Sequence, residues 1–122
     1  MTKEEKQLLL KDLCSRLPYK PKVHIEHDVF YDEREPYDTE LSLSVLYNRC
    51  AGMEIKPYLR PMSSMTTEEH DYYNNNLITN AITICEEKLS DYLEFMHSHH
   101  FDYNKLIEKG LALEAPKGMY KF

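Results

Sequence analysis

The densest group of residues that could do chemistry is His97, His99, His100 and Asp102. Imidazole nitrogens and carboxylate oxygens bind zinc and other divalent metals, so this cluster is a candidate metal site. Zinc-binding helices, however, place two histidines four residues apart, whereas the spacing here directs the rings to different sides. Histidines near a helix C-terminus are also stabilised by the helix dipole without any metal. We therefore expect no bound metal and no other cofactor, and we keep a small metal-dependent enzyme as the least favoured hypothesis.

Two other places carry candidate nucleophiles, the thiol of Cys50 and the adjacent hydroxyls of Ser63 and Ser64. The sequence around them contains no GxSxG motif, no glycine-rich phosphate loop and no paired-carboxylate signature. The cysteines Cys14, Cys50 and Cys85 are odd in number and lack a CxxC pair, so we expect them to be reduced and buried. The sequence therefore predicts that this protein is not an enzyme.

Tyrosines are the most promising contact residues, because the chain contains 10 of them and tyrosine is enriched at protein interfaces. Tyr37, Tyr58 and Tyr72 lie in or near polar stretches, and Arg60 follows Tyr58 by two positions. We take these four residues as candidates for binding a protein partner. Core packing is the expectation for most of the other tyrosines.

Tyr58 and Arg60 belong to residues 56–66, KPYLRPMSSMT, which separate two differently patterned halves of the chain. Pro57 and Pro61 forbid a regular helix and restrict the residues before them to extended conformations. The segment is predicted to be a stiff, extended connector. It can be interpreted as a structural hinge between sheet and helix, or as a preorganised binding edge centred on Tyr58 and Arg60.

The N-terminal residues 1–17 are predicted to form an amphipathic helix. Thr2 and Glu5 have the spacing of a capping box, and apolar residues then recur at helical intervals. Pro18 is expected to end the helix near Arg16 or Leu17.

Residues 22–55 are predicted to form the β region. A first strand begins at Val23, residues 32–38 read as a solvated connection, and residues 41–47 alternate between apolar and other side chains like a half-buried second strand. Residues 53–55 are a short third strand. Three such strands make a small antiparallel meander, which needs a helix packed on it to be stable.

Residues 67–109 are predicted to be mainly helical. Thr66 and Glu69 form a second capping box, and an apolar seam with intervals of three and four runs from Ile78 to Met96. The seam is interpreted as the core face of a helix on a sheet, with a homodimer contact as the alternative. Residues 110–122 form a tail whose apolar residues are expected to pack on the domain.

The chain of 122 residues is long enough for one domain, which we take as residues 1–122, and its composition is that of a soluble protein. The net charge is −6, and residues 66–104 carry one basic and eight acidic groups. A basic stripe is lacking, so direct binding to duplex nucleic acid is not expected. Without an apolar run of signal-peptide or membrane-spanning length, we expect a cytoplasmic protein with no membrane contact.

Three blocks of the chain resemble a group of small uncharacterised proteins encoded in gut anaerobe genomes, often within prophages or other mobile elements. The blocks are residues 56–66, residues 99–103 continuing with 106–120, and residues 10–19. The resemblance implies a phage or mobile-element context, and it implies no activity and no catalytic or metal-binding positions.

The sequence thus predicts an α+β fold with an N-terminal helix, a three-stranded antiparallel meander and a helical C-terminal half packed on the sheet. The leading functional hypothesis is a non-enzymatic interaction or accessory protein that acts through contacts with a protein partner. The alternative is an acidic factor that modulates a nucleic-acid-processing complex, ahead of the metal-dependent enzyme.

Overall fold

A computed structural model of the protein describes residues 2–27, 36–50, 54–74 and 86–120, although not the side chains of residues 27, 48–50 and 86–88. Within those ranges the fold is α+β, as predicted, and its strands form one sheet in the order β2-β1-β3-β4. The elements in chain order are α1 (Lys3–Arg16), β1 (Lys22–His27), β2 (Tyr37–Glu40), α2 (Leu43–Cys50), β3 (Glu54–Leu59), α3 (Thr67–Tyr72), α4 (Glu86–Ser98) and β4 (Leu113–Glu114).

The sheet is mixed, whereas an antiparallel three-stranded meander was predicted. Strand β1 pairs antiparallel with β2 on one side and with β3 on the other, and β4 pairs parallel with β3. Strand β4 comes from the predicted tail. It is held on β3 because Leu113 pairs with Tyr58 and Glu114 pairs with Leu59. Two residues carry no periodic pattern, so a strand that depends on a distant partner leaves no local signal.

The predicted second strand over residues 41–47 is wrong, because helix α2 begins at Leu43. The Ser42 hydroxyl accepts a hydrogen bond from the N–H of Val45, which satisfies one of the free donors of the helix's first turn. Leu41 and Leu46 are buried with Val45 packed against them, while Leu43 and Tyr47 are exposed. The strand beside β1 is instead β2, which includes the last two residues of the predicted connection 32–38; residues 32–35 lie outside the described ranges.

The proline segment 56–66 is only partly a connector. Its first four residues belong to β3, which lies between β1 and β4, and Pro57 is buried opposite Val23. The pairing of β3 with β4 begins at Tyr58, the residue after Pro57. After β3 the chain makes a short 3-10 turn at Met62–Ser64 before α3. The structure therefore places the first four residues of the segment, 56–59, inside the sheet.

Helix α1 confirms the N-terminal prediction. Thr2 and Glu5 form a capping box, and the helix ends at Arg16, two residues before Pro18. Its buried face contains Leu9 and Leu13, as expected, but also Asp12 and Arg16. Cys14 is exposed, so the expectation of a buried thiol is wrong there. The side chain of Cys50 and the whole of Cys85 are outside the described part of the chain.

In its described residues, the C-terminal half contains less helix than predicted. Thr66 and Glu69 form the predicted capping box at the start of α3. Residues 75–85, which include the first part of the predicted seam, lie outside the described ranges. Residues 103–110 form turns, and Gly110 adopts a φ of 74°, a left-handed conformation that glycine adopts without a side-chain clash.

Two apolar clusters hold these elements together. The larger one lies between α1, α2 and the sheet and includes Leu9, Leu13, Ile25 and Leu59. Leu106, from the turns that precede β4, also belongs to it. The smaller one is built on Phe95, Met96 and Phe101 around the C-terminal end of α4. Among the described residues, no helix has the length and apolar character needed to cross a membrane.

Candidate functional site: an acidic groove between two helices

The best-defined polar structure joins the end of β3 to α3. The guanidinium of Arg60 donates from Nη1 to Glu69 Oε2 at 2.8 Å and from Nη2 to Glu69 Oε1 at 2.6 Å. Nδ1 of His99 lies 2.6 Å from the same Oε2. The backbone of Arg60 is also held, since its N–H donates to the carbonyl of His100 and its own carbonyl accepts from the N–H of Asp102. Strand end, helix start and the loop after α4 therefore meet at Glu69.

Glu69 is ionised over the whole physiological range. Its burial, with 5% of the residue exposed, would raise the pKa, but the hydrogen bonds from Arg60, from the Thr66 N–H and from His99 outweigh that effect and lower the pKa to about 2. The same carboxylate also completes the capping box of α3. Glu69 consequently serves as both a helix cap and the counterion of a mostly buried arginine.

A groove of about 470 Å³ opens beside this network, between α3 and α4. On α3, Glu68 and Tyr72 are four residues apart, and on α4 the same interval separates Asp91 from Phe95, so each helix carries a carboxylate one turn before an aromatic ring. We call this feature the acidic groove. It is lined by Thr66, Glu68, Glu69, Tyr72, Asp91, Glu94, Phe95, Ser98 and His99.

The base of the acidic groove is aromatic. The ring centroids of Tyr72 and Phe95 are 5.1 Å apart, and those of Phe95 and His99 are 4.5 Å apart. Phe95 is buried, whereas Tyr72 is 44% exposed. Behind them, Phe101 is covered by the Arg60 guanidinium at 4.4 Å from its ring centroid. A ligand in the groove would thus contact the exposed ring of Tyr72 above the buried ring of Phe95.

The rim of the acidic groove is negatively charged. Glu68, Asp91 and Glu94 are exposed, and none of them has an ion-pair partner within the part of the chain that the structure describes. Glu69 does not add to this charge in the same way, because Arg60 neutralises it. The described lining contains no lysine or arginine. The groove can therefore attract a cation and offer it both carboxylates and an aromatic face.

The histidine cluster is divided among different partners. His97 is hydrogen-bonded through Nε2 to the Tyr103 hydroxyl at 2.7 Å, His99 binds Glu69, and His100 stacks on Tyr120 with ring centroids 4.0 Å apart. The carboxylate of Asp102 accepts from the backbone N–H groups of residues 106 and 107. In the described ranges, no group of three or more histidine, cysteine or acidic side chains is placed to hold a metal ion.

Burial keeps two of these imidazoles neutral. It lowers the pKa of His97, and with the nearby positive charges of Arg16 and Arg60 it lowers the pKa of His100 to about 4. Tyr120, which covers His100, donates from its hydroxyl to the carbonyl of Tyr58 and accepts from the N–H of Lys22. These contacts tie the tail to the sheet.

The structure separates the four predicted contact residues. Tyr72 lies on the wall of the acidic groove. Arg60 does not line the groove, and its guanidinium is hydrogen-bonded to Glu69. Tyr58 is half-buried on β3 and donates its hydroxyl to Asp38, while Tyr37 packs against the larger apolar cluster. Only Tyr72 of the four is classed among the exposed residues of the described chain.

The main partners of Tyr72 were not predicted. Asp91 and Phe95 share its groove because α3 and α4 approach each other, which depends on tertiary packing. A local signal did exist on each helix, namely an acidic residue four positions before an aromatic one. That pattern is common on solvated helices, so it does not by itself mark a site.

Comparisons with protein-family models, with curated proteins and with solved structures found no match to this chain. The functional interpretation of the acidic groove therefore rests on its own residues.

Proposed function

We propose that this protein is a non-enzymatic interaction protein that binds a protein partner in the acidic groove. The observation that carries the proposal is the position of Tyr72, an exposed aromatic ring on the wall of a groove whose base is packed. Tyrosine supplies a large contact area at a low cost in side-chain entropy, and interface anchors of this kind carry much of the binding free energy.

The support beneath the groove favours binding of a partner without rearrangement. Helix α3 has only six residues, but its start is held by the capping box and by the ion pair between Glu69 and Arg60. An isolated helix of this length is unstable in water, so these contacts are what keep Tyr72 in place. A preformed wall lowers the ordering cost of association.

The proposed setting is a phage or another mobile element, with the protein acting in the cytoplasm. This part of the proposal is supported by the resemblance of residues 56–66 and 106–120 to proteins encoded in such elements. A homodimer in which residues 78–96 contribute the contact is a further possibility for the partner, supported by the exposure of Leu89 on α4.

A second candidate function is modulation of a nucleic-acid-processing complex. The exposed carboxylates of Glu68, Asp91 and Glu94 favour it, because an acidic surface can occupy a site that normally accepts phosphates. The two functions differ in the identity of the partner, which would be a nucleic-acid enzyme in this case.

Site-specific photo-crosslinking tests the proposal. A benzophenone amino acid replaces Tyr72 in one variant and Tyr47, which is 77% exposed on α2, in a matched control. In cells of the native background, the Tyr72 probe should give a discrete crosslinked protein that the Tyr47 probe does not give. Equal crosslinking from both positions, or none from position 72, would contradict the groove as the contact surface.

A further inference from the structure

We propose that the acidic groove binds an arginine-bearing segment of the partner protein, with the guanidinium against the ring of Tyr72 and paired with the carboxylates of the rim. This inference rests on the proposed function and names the chemistry of the partner. It is carried by the arrangement of the groove, in which charge and aromatic surface occur together on two facing helices.

The arrangement suits a cation that lies between the helices. Glu68 precedes Tyr72 by one helical turn on α3, and Asp91 precedes Phe95 by one turn on α4. A positive group placed over the exposed ring of Tyr72 would therefore have a carboxylate on each side. Attraction of a cation to a ring face is worth about 0.5–1 kcal/mol at exposed sites and more when water is excluded.

A bound ligand could neutralise the negative charge on the rim of the groove. Glu69 is paired within the fold by Arg60 and His99. Glu68, Asp91 and Glu94 have no such partner among the residues described, so their mutual repulsion would be relieved when a cation binds.

Arginine fits better than lysine because its guanidinium is planar, stacks on rings and donates to carboxylates through two parallel N–H groups. Among the described residues, the fold uses this combination at two places. Arg60 binds Glu69 while covering Phe101 at 4.4 Å, and Arg16 binds Asp12 while lying 5.3 Å from the centroid of the Tyr103 ring. The acidic groove presents the same carboxylates and rings without an arginine of its own in the described lining.

The size of the groove matches a short peptide segment. Its volume of about 470 Å³ falls within the roughly 300–1,000 Å³ of sites that bury most of a drug-sized ligand, so it can take more than a guanidinium group alone. The partner is therefore expected to insert the arginine side chain together with part of the residues next to it.

Fluorescence anisotropy with the full chain tests this inference. The probes are labelled glycine–serine nonapeptides that carry two arginines, two lysines or two glutamines. The arginine peptide should bind, the lysine peptide should bind several-fold more weakly, and the glutamine peptide should not bind. Raising the salt concentration from about 50 mM to 500 mM should weaken binding, because exposed charges are screened.

Variants of the chain assign the binding to the groove. The double variant Glu68→Gln/Asp91→Asn should lose about twofold to thirtyfold in affinity for the arginine peptide, since two exposed ion pairs contribute roughly 0.2–1 kcal/mol each. Tyr72→Leu, which keeps every charge, should lose about threefold to fivefold. Glu108→Gln is the control, because Glu108 is exposed and lies outside the lining. Thermal unfolding of each variant confirms that it is folded.

The inference would be overturned by equal binding of the arginine and lysine peptides with no effect of Tyr72→Leu, by an unchanged affinity in the double variant, or by failure of the arginine peptide to bind. If the peptide fails while the Tyr72 crosslinker captures a partner, the interaction function stands and the arginine assignment falls. If spermine competes as well as the peptide, the assignment to a protein segment falls.

Discussion

Arg60 and Glu69 are joined by two parallel hydrogen bonds of 2.8 and 2.6 Å between guanidinium and carboxylate. The pair links the residue after β3 to the first turn of α3, so the sheet and the short helix are oriented by one contact. Because Glu69 also binds His99, the loop after α4 is attached at the same point. The geometry of the acidic groove thus depends on a carboxylate that lies at its inner edge.

Glu69→Gln should destabilise the protein by about 3 kcal/mol. Glutamine keeps the size of the side chain and its ability to cap α3, but it leaves the guanidinium of Arg60, which is 11% exposed, without a counterion. Urea unfolding measures the loss. The matched control is Glu68→Gln, one residue earlier and exposed, which should change the free energy of unfolding by less than about 0.5 kcal/mol. Equal losses of unfolding free energy in the two variants would show that the ion pair between Arg60 and Glu69 does not stabilise the fold.

Acidification should destabilise the folded protein through His100. Its pKa is lowered from 6.5 to about 4, so between those values the unfolded chain binds a proton that the folded chain does not. The contribution of this group to stability is full above pH 6.5 and falls by up to about 3 kcal/mol as the pH approaches 4. Glu69, with a pKa of about 2 against 4.5, adds a further loss below pH 4.5.

His100→Asn isolates this contribution. His100 has a φ of 60°, and asparagine tolerates that left-handed conformation better than most residues. The variant should flatten the dependence of unfolding free energy on pH between 6.5 and 4. His24→Asn is the control: its hydrogen bond to Asp38 raises the pKa of His24, so that residue stabilises the folded state below pH 6.5 and loses its effect as the pH rises through the raised value. An unchanged slope in His100→Asn would contradict the prediction.

The correct predictions from sequence were those that depend on neighbouring residues. Both capping boxes and the end of α1 before Pro18 follow from side chains three or four positions apart, and all three are present. The error at residues 41–47 has the same origin. Leu41 and Val45 are spaced by four, which fits a helix as well as an alternating strand, so a short window cannot distinguish the two.

The candidate site was predictable only in part. Tyr72 was identified as a contact residue because it lies in a polar stretch, and it does line the acidic groove. Arg60 was predicted to form a binding edge with Tyr58, whereas its side chain is paired with Glu69. That pairing spans a turn whose direction is set by Pro61 and the 3-10 segment Met62–Ser64, and the ring of Phe95 comes from a helix later in the chain. Such contacts depend on tertiary packing rather than on local pattern.

The buried pair of Asp12 and Arg16 should show strong energetic coupling. Arg16 is 0% exposed, its Nε donates to Asp12 at 2.7 Å and its Nη2 donates to the carbonyl of Phe101 at 2.6 Å. Asp12→Asn should cost about 3–5 kcal/mol, because it leaves a buried positive charge unpaired. The double variant Asp12→Leu/Arg16→Met should be less destabilised than Asp12→Asn alone, as judged by denaturant unfolding. A double variant as unstable as the sum of its single substitutions would contradict the coupling.

Truncation of Leu89 and truncation of Met96, both on α4, should reduce stability by very different amounts. Met96 is 0% exposed within the smaller apolar cluster, so Met96→Ala should cost about 2–5 kcal/mol in unfolding free energy. Leu89 is 50% exposed, so Leu89→Ala should cost less than about 0.5 kcal/mol in the monomer. If residues 78–96 instead form a homodimer contact, light scattering should show a dimer that Leu89→Asp converts to a folded monomer. A monomeric native chain with a stable Leu89→Asp variant would leave Leu89 as a surface residue and exclude its role in a dimer.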